Sequence, residues 1–267
     1  MSTIVDILEI HMSNTALVTG ASSGIGREFA RYHASKGGDL IITARRIKEL
    51  DALKDELEKK HRVSVMTVPL DLAAEGGAKA LYEAIKGHRI DILINNAGFG
   101  GHGKFLDRGL EADMPMLDLN ISALVQLCHL VGKDMVARGS GKVLNVSSTG
   151  AYQPGPLQAT YFASKAFVST LSPALDFEWR PHGVTVTTLE PGFVETEFAK
   201  TAAMDKMAKM NDGAAQPQSV AKFGYDAMLK GKLRVVNDPK MRFMLNWLVP
   251  LLPRRMVMKM VYDMQMK

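Results

Sequence analysis

Tyr161 and Lys165 stand four residues apart in TYFASKAFVSTLSPALDFEW, Thr160 to Trp179, a stretch whose length and apolar spacing predict one amphipathic helix. Residues at that interval share a helix face, so a phenol and an ammonium come to one small space. On a wet face the pair is surface decoration. Facing inward it is acid–base chemistry, because a phenol of reference pKa about 10 exchanges protons poorly near neutral pH unless a neighbouring cation stabilises its phenolate. A second constellation is GASSGIG, with glycines at 20, 24 and 26. Glycine allows a tight turn and close backbone approach to a pyrophosphate, and a helix that starts there offers free N–H groups to the anion. The spacing is a relative of the dinucleotide fingerprint. In LIITARR, Ala44 occupies the place where an acid would hold a ribose 2′-OH, and Arg45 and Arg46 follow. A guanidinium there binds a 2′-phosphate, which favours NADP(H) over NAD(H), with Arg45 the first choice. The competing reading has both arginines opening the next helix in solvent.

These residues need a frame. Apolar or β-branched runs at 15–19, 39–43, 63–68, 91–94, 142–146, 184–189 and 233–236 alternate with helical stretches, among them 25–36, 47–60 and 76–86. That order predicts βαβ units and one doubly wound parallel sheet with helices on both faces. The chain has 267 residues, 46 % hydrophobic and 23 % charged, enough for a sizeable core. Its one cysteine, Cys128, lies in an apolar run and reads as core; neither a disulfide nor a metal site is expected. A formal charge of +5 suits an anionic cofactor, and because the basic residues are scattered among acids, nucleic-acid binding is not expected. No secretory pattern and no apolar run of about 18 residues is read, so the chain is expected to be cytoplasmic.

TGASSGIG at 19–26, NNAG at 95–98, NVSS at 145–148, Tyr161-x-x-x-Lys165 and PGFVET at 191–196 occur in one order on this frame. Together they resemble the short-chain dehydrogenase/reductase family, in its branch of about this length, over roughly Thr15 to Thr196 and more weakly to about residue 237. The resemblance implies a Rossmann-type fold and carries roles over residue by residue. Asn120, Ser148, Tyr161 and Lys165 match the family's catalytic set. Gly20, Ser22, Ser23, Gly24, Ile25 and Gly26 match its phosphate loop. Asp71, with Leu72 beside it, looks like the acid that meets the adenine. Asn96, Ala97 and Gly98 look like the turn that flanks the adenosine and steadies the sheet. Pro191, Gly192, Val194 and Thr196 look like the turn that holds the nicotinamide carboxamide. Ser147 competes with Ser148, which is preferred on its spacing from Tyr161.

The chemistry agrees with those roles. Carbonyl reduction needs a hydride for carbon and a proton for oxygen; the nicotinamide supplies the first and the protein supplies position and electrostatics. Tyr161 is the expected acid and Lys165 its tuner and a donor to the cofactor ribose. Ser148 donates to the developing oxyanion, and Asn120 holds a water that relays protons from the lysine. His102, in GFGGHGKF, reads as a solvated loop histidine. The expectation is an NADPH-dependent reductase of a hydrophobic ketone or aldehyde, reversible as an alcohol dehydrogenase. The alternative is a non-catalytic NADP(H)-binding sensor or scaffold.

The expected layout has residues 1–12 as an arm or appended residues, a catalytic domain at 13–238 with a substrate lid at about 193–215, and an apolar, basic, helical extension at 239–267. Met204, Met207 and Met210 form the lid's apolar stripe. The extension has three candidate uses: a flap beside the substrate mouth, a subunit interface in a homo-dimer or homo-tetramer, or a peripheral membrane contact.

Overall fold

Apolar residues on the strand segments point alternately to two sides, which forces helices onto both faces of one sheet. The computed structural model describes residues 14–196 and 214–266; the expected arm and the methionine stripe of the expected lid lie outside them. The strands are β1 (Ala16–Thr19), β2 (Leu40–Ala44), β3 (Val65–Pro69), β4 (Ile92–Asn95), β5 (Gly141–Val146), β6 (Val184–Leu189) and β7 (Arg234–Val235). They pair in the order β3-β2-β1-β4-β5-β6-β7, all parallel. The order reverses between β1 and β4, and the carboxyl ends of those strands flank the crevice where a doubly wound sheet takes its ligand.

The helices are α1 (Gly24–Ala34), α2 (Ile47–His61), α3 (Gly77–Ala84), α4 (Leu110–Leu117), α5 (Leu124–Arg138), α6 (Ala159–Trp179), α7 (Pro217–Leu229), α8 (Pro239–Phe243) and α9 (Arg254–Gln265). Ala16, Val18, Leu40, Ile42, Ile92 and Ile94 face α1, α2 and α7 through Phe29, Leu50, Leu57, Val220 and Met228. Leu17, Ile41, Leu93 and Val143 face the other way, onto Leu81, Leu127, Val131, Met135 and Val168. Strands covered on both faces read as continuous apolar runs, as these do.

Two expectations need correction. The last strand is two residues rather than four, because at the sheet edge it pairs only with β6, through Thr188 with Arg234 and Leu189 with Val235. An apolar stretch long enough to cross a membrane does exist: Leu110–Arg138 qualifies by length and composition. Single polar residues punctuate it, so it does not read as one unbroken apolar run. In the fold it comprises α4, a π-helical turn at Asp118–Ala123 and α5, whose Leu124, Leu127, Cys128, Val131 and Met135 are buried against the sheet.

Candidate active site

The inward stripe of α6 carries Tyr161, Ser164, Lys165, Val168, Ser172 and Asp176, so the phenol and the ammonium are both buried, at 9 % and 5 % exposure. Surface decoration is thereby excluded. Lys165 Nζ donates to the Val146 carbonyl at the end of β5 (3.0 Å) and lies 5.9 Å from the centroid of the Tyr161 ring. Burial lowers the Lys165 pKa from 10.5 to about 8 and pushes Tyr161 up to about 12, opposed by its hydrogen bond with the Ser148 side chain. An ammonium held in low dielectric by one carbonyl is costly, and such groups cluster at functional sites.

The two adjacent serines do different things. Ser148 reaches Tyr161, and its Oγ also accepts from Gly150 N (3.0 Å). Ser147 turns away and donates to the Lys165 carbonyl (2.8 Å), with Ser169 Oγ at 2.8 Å. Asn120 sits in the π-helical turn, a widening often found at functional positions. Its Nδ2 donates to the Phe99 carbonyl and to Ser164 Oγ, both at 3.0 Å, and its Oδ1 accepts from Phe99 N at 3.1 Å. One amide donor thus fixes the loop after β4 and the other ties to α6, and only acceptor capacity at Oδ1 is left for a relay water. Gly98 closes the group: a Cβ there would come to 2.8 Å from Asn120 Oδ1 and 3.3 Å from Lys165 Nζ.

The glycine loop forms a cradle at the carboxyl end of β1. Gly20 is left-handed at φ 69°, and a Cβ on Gly26 would stand 2.3 Å from the Gly20 carbonyl oxygen, so a side chain fits at neither. Ser23 precedes α1 without a side-chain cap, and the first turn holds no acid, which leaves the helix N-terminus suited to an anion. Asn96 clamps the cradle from just beyond β4, its Nδ2 donating to the Thr19 carbonyl at 3.0 Å; Thr19 Oγ1 accepts from Asn96 N and Ala97 N, both at 3.0 Å. Thr196 lies against Gly24, where a Cβ would meet its Cγ2 at 3.2 Å. This contact brings the expected nicotinamide turn onto the loop. That turn is held by Thr149 N on the Pro191 carbonyl (3.0 Å), Gly192 N on Asn237 Oδ1 (3.3 Å) and a parallel bridge from Val194 to Ala215. Ser22 and Leu72 are buried, and Ile25 packs on the first core. The donor set and the cradle fit a dinucleotide.

The two arginines divide. Arg46 donates to Ser22 Oγ in the loop (3.2 Å from Nη2), and Arg27 Nη2 donates to the Ser22 carbonyl. Arg45 is largely exposed, with Nη1 3.9 Å from Asp71 Oδ2. The position nearer the cradle is Arg46, and Arg45, the first choice from the sequence for the 2′-phosphate, lies farther out beside Asp71.

Three further neighbours complete the surroundings of the site. Glu190, fully buried beside Pro191, accepts from Ser169 Oγ and Tyr152 Oη at 2.6 Å each and from Arg234 Nη2 at 2.6 Å. An acid ending the β-branched run VTVTTLE was its available signal. Helix α9 seats Val257 and Val261, spaced i, i+4, on Met116, Tyr161 and Phe162, so the extension walls the tyrosine as a flap would. Gln265 latches that wall: its Oε1 accepts from Gln158 Nε2 (2.6 Å) and its carbonyl from His102 Nε2 (3.0 Å). His102 is therefore bonded to the extension, not merely solvated. Among the described residues no cluster of three or more His, Cys, Asp or Glu could hold a metal ion.

The chain as a whole is similar to known proteins. A family model described as short chain dehydrogenase matches residues 14–207. The chain is 37 % identical over 192 residues to a very-long-chain 3-oxoacyl-CoA reductase of Pyrenophora tritici-repentis, covering 69 % of this chain and 56 % of the relative. It is 34 % identical over 206 residues to 17-beta-hydroxysteroid dehydrogenase type 3 of Mus musculus, covering 75 % of this chain and 66 % of that one. The chain thus spans between about half and two thirds of the length of the curated relatives it matches. Among solved structures, a short-chain dehydrogenase from Sphingobium yanoikuyae in complex with NADPH superposes with a TM-score of 0.83 at 30 % identity, covering 92 % of this chain and 95 % of that one.

Proposed function

Because the chain belongs to the short chain dehydrogenase family, we propose that it is an oxidoreductase that uses NADPH to reduce an apolar ketone or aldehyde to the alcohol, and runs in reverse as an alcohol dehydrogenase. The observation that carries this reading is the buried Tyr161, bonded to Ser148 and one helical turn from a buried Lys165, beside a glycine cradle that fits a dinucleotide. A binding module has no use for a buried acid and ammonium at the sheet's carboxyl edge.

The cofactor supplies the hydride when bound. The chain's own residues do the rest. Ser148 donates to the carbonyl oxygen, which aligns the substrate and stabilises the charge that develops there. Tyr161 gives that oxygen its proton. Lys165, anchored on Val146, holds a positive charge beneath the phenol and lowers the cost of the phenolate left behind. Asn120 locks the loop at Phe99 and offers Oδ1 to a water that returns the proton. Gly20 to Gly26, with Arg46 and Arg27 beside Ser22, would hold the phosphates. Asp71 and Leu72 would border the adenine, and Pro191 to Thr196 would hold the nicotinamide.

An apolar substrate is supported by the buried apolar cluster of Met116, Phe162, Val257 and Val261 that packs around Tyr161 and by relatives named for very-long-chain oxoacyl and hydroxysteroid substrates. NADPH is supported by the two arginines after β2, the missing acid at Ala44, and the NADPH in the Sphingobium structure. The test is a panel of ketones, aldehydes and alcohols, followed by absorbance of the reduced nicotinamide. Turnover with NADPH exceeding that with NADH is expected. Arg46→Ala is expected to erode the preference by about 1 to 2 kcal/mol, roughly 5- to 30-fold, as loss of one charge-assisted contact does, and Arg45→Ala by less. An unchanged preference in both variants removes the 2′-phosphate assignment; inactivity across the panel with tight NADPH binding favours the sensor.

A further inference from the structure

The C-terminal segment turns apolar side chains outward. From Pro239 to Leu248, helical spacing sets the buried Leu245 on one side and Phe243 and Trp247, one turn apart, on the other, with Lys240 next to them. Phe243 is 59 % exposed, Trp247 68 % and Leu251, in the following turn, 81 %. Helix α9 repeats the pattern. Val257 and Val261 are its inner stripe on Tyr161, while Met256, Met260 and Met264 form an outer stripe exposed at 50 %, 55 % and 52 %. A surface helix ordinarily buries its apolar side and shows a polar one; here a second apolar side is left facing out.

The unpaired side-chain charges of the segment have one sign. Lys240, Arg242, Arg254 and Arg255 are exposed, and none of them is in an ion pair among the described residues. The segment's acid, Asp263, is paired with Lys259 at 2.9 Å. Asp238, just before it, spends its carboxylate on the backbone N–H groups of Lys240 and Met241. Exposed aromatic and aliphatic tips framed by uncompensated cations match the boundary of an anionic bilayer, where apolar groups enter below the headgroups and cations remain among them. A second copy is the poorer fit. A two-fold interface lays a patch against itself, which would gather two sets of these cations into one contact with no unpaired acid of the segment to meet them.

We propose that Phe243, Trp247, Leu251 and the outer stripe of α9 dock the protein on an anionic lipid surface. The inner side of α9 walls Tyr161, so docking sets that wall at the bilayer. On the catalytic reading above, and resting on it, an apolar carbonyl then reaches the site from the lipid.

Sedimentation of the full chain with vesicles tests the docking without reference to activity. Partitioning into phosphatidylcholine vesicles carrying about 30 % phosphatidylserine is expected to exceed that into phosphatidylcholine alone by about tenfold or more and to weaken in high salt. The double variants Phe243→Ser/Trp247→Ser and Arg254→Glu/Arg255→Glu are expected to lose about tenfold each, with the circular-dichroism melt and the mass by light scattering unchanged. Equal partitioning of wild type and both variants, or none by wild type, overturns the proposal. So does a fall in mass of the Phe243→Ser/Trp247→Ser variant without vesicle binding, which assigns the face to a second copy. Turnover of a water-soluble ketone should be the same in wild type and variants. If none of them turns over while vesicle binding behaves as expected, the catalytic reading falls and the docking stands.

Discussion

Burial moves Tyr161 and Lys165 in opposite directions, the phenol up to about 12 and the ammonium down to about 8, so at pH 7 both hold their protons and the tyrosine is ready to act as an acid. Removing that acid should be severe: Tyr161→Phe is expected to lower kcat for reduction by about a hundredfold to ten-thousandfold with little change in NADPH affinity, read by steady-state kinetics and by cofactor fluorescence. The lysine predicts a pH dependence. Its charge is present below about 8 and lost above, so kcat for reduction in the wild type should fall as pH rises through about 8. A flat profile to pH 10 would falsify the electrostatic role given to Lys165. Stability runs the other way. Because the folded pKa lies below the unfolded value of 10.5, the buried charge destabilises the fold fully below about pH 8, and that cost fades between about 8 and 10.5. Lys165→Met is therefore expected to raise Tm at pH 7 and to raise it less at pH 10, while turnover is lost.

At the scale of elements, Glu190 fastens four pieces that share no sequence proximity: the end of β6, α6 through Ser169, β7 through Arg234 and the turn at Tyr152. Ser169 in turn meets Ser147, which bonds the carbonyl of Lys165, so the network reaches the back of the catalytic helix. Glu190→Gln keeps the volume but loses the charge shared by these donors. It is expected to cost about 1–3 kcal/mol in urea unfolding and, since Pro191 follows directly, to raise KM for NADPH more than it lowers kcat. Equal stability with unchanged KM would mean that Arg234 and Tyr152 find water without disturbing the turn. The π-helical turn at Asp118–Ala123 belongs to the same scale. Nothing in LDLNISA announces a wider turn, because its cause is tertiary: Asn120 spans to the Phe99 backbone and to Ser164 on a different helix.

For the whole molecule, the reversal of strand order between β1 and β4 opens the crevice, and α9 closes its far side on Tyr161. Val261→Asp would put a carboxylate against Phe162 and Tyr161, a burial that costs about 3 kcal/mol or more. The helix is expected to undock, seen as faster limited proteolysis at Arg254 and Arg255 and a higher KM for apolar carbonyls, with the rest of the domain melting nearly as before. The sequence by itself determined the parallel doubly wound sheet, since period and order are local properties: apolar strand runs, helical stretches between them and a glycine loop after the first strand admit few alternatives. It also determined that Tyr161 and Lys165 share a face, which is helix geometry. Only the tertiary structure decided that this face is buried, that Arg46 rather than Arg45 leans on the loop, and that the extension packs as a wall. Each of those depends on groups distant in the chain meeting across the sheet's carboxyl edge, and spacing along the chain does not encode which of two adjacent side chains points there. Tertiary packing likewise turned the apolar stretch Leu110–Arg138 into a sheet-covering helix, because the sheet offers its leucines and valines the apolar surface they need.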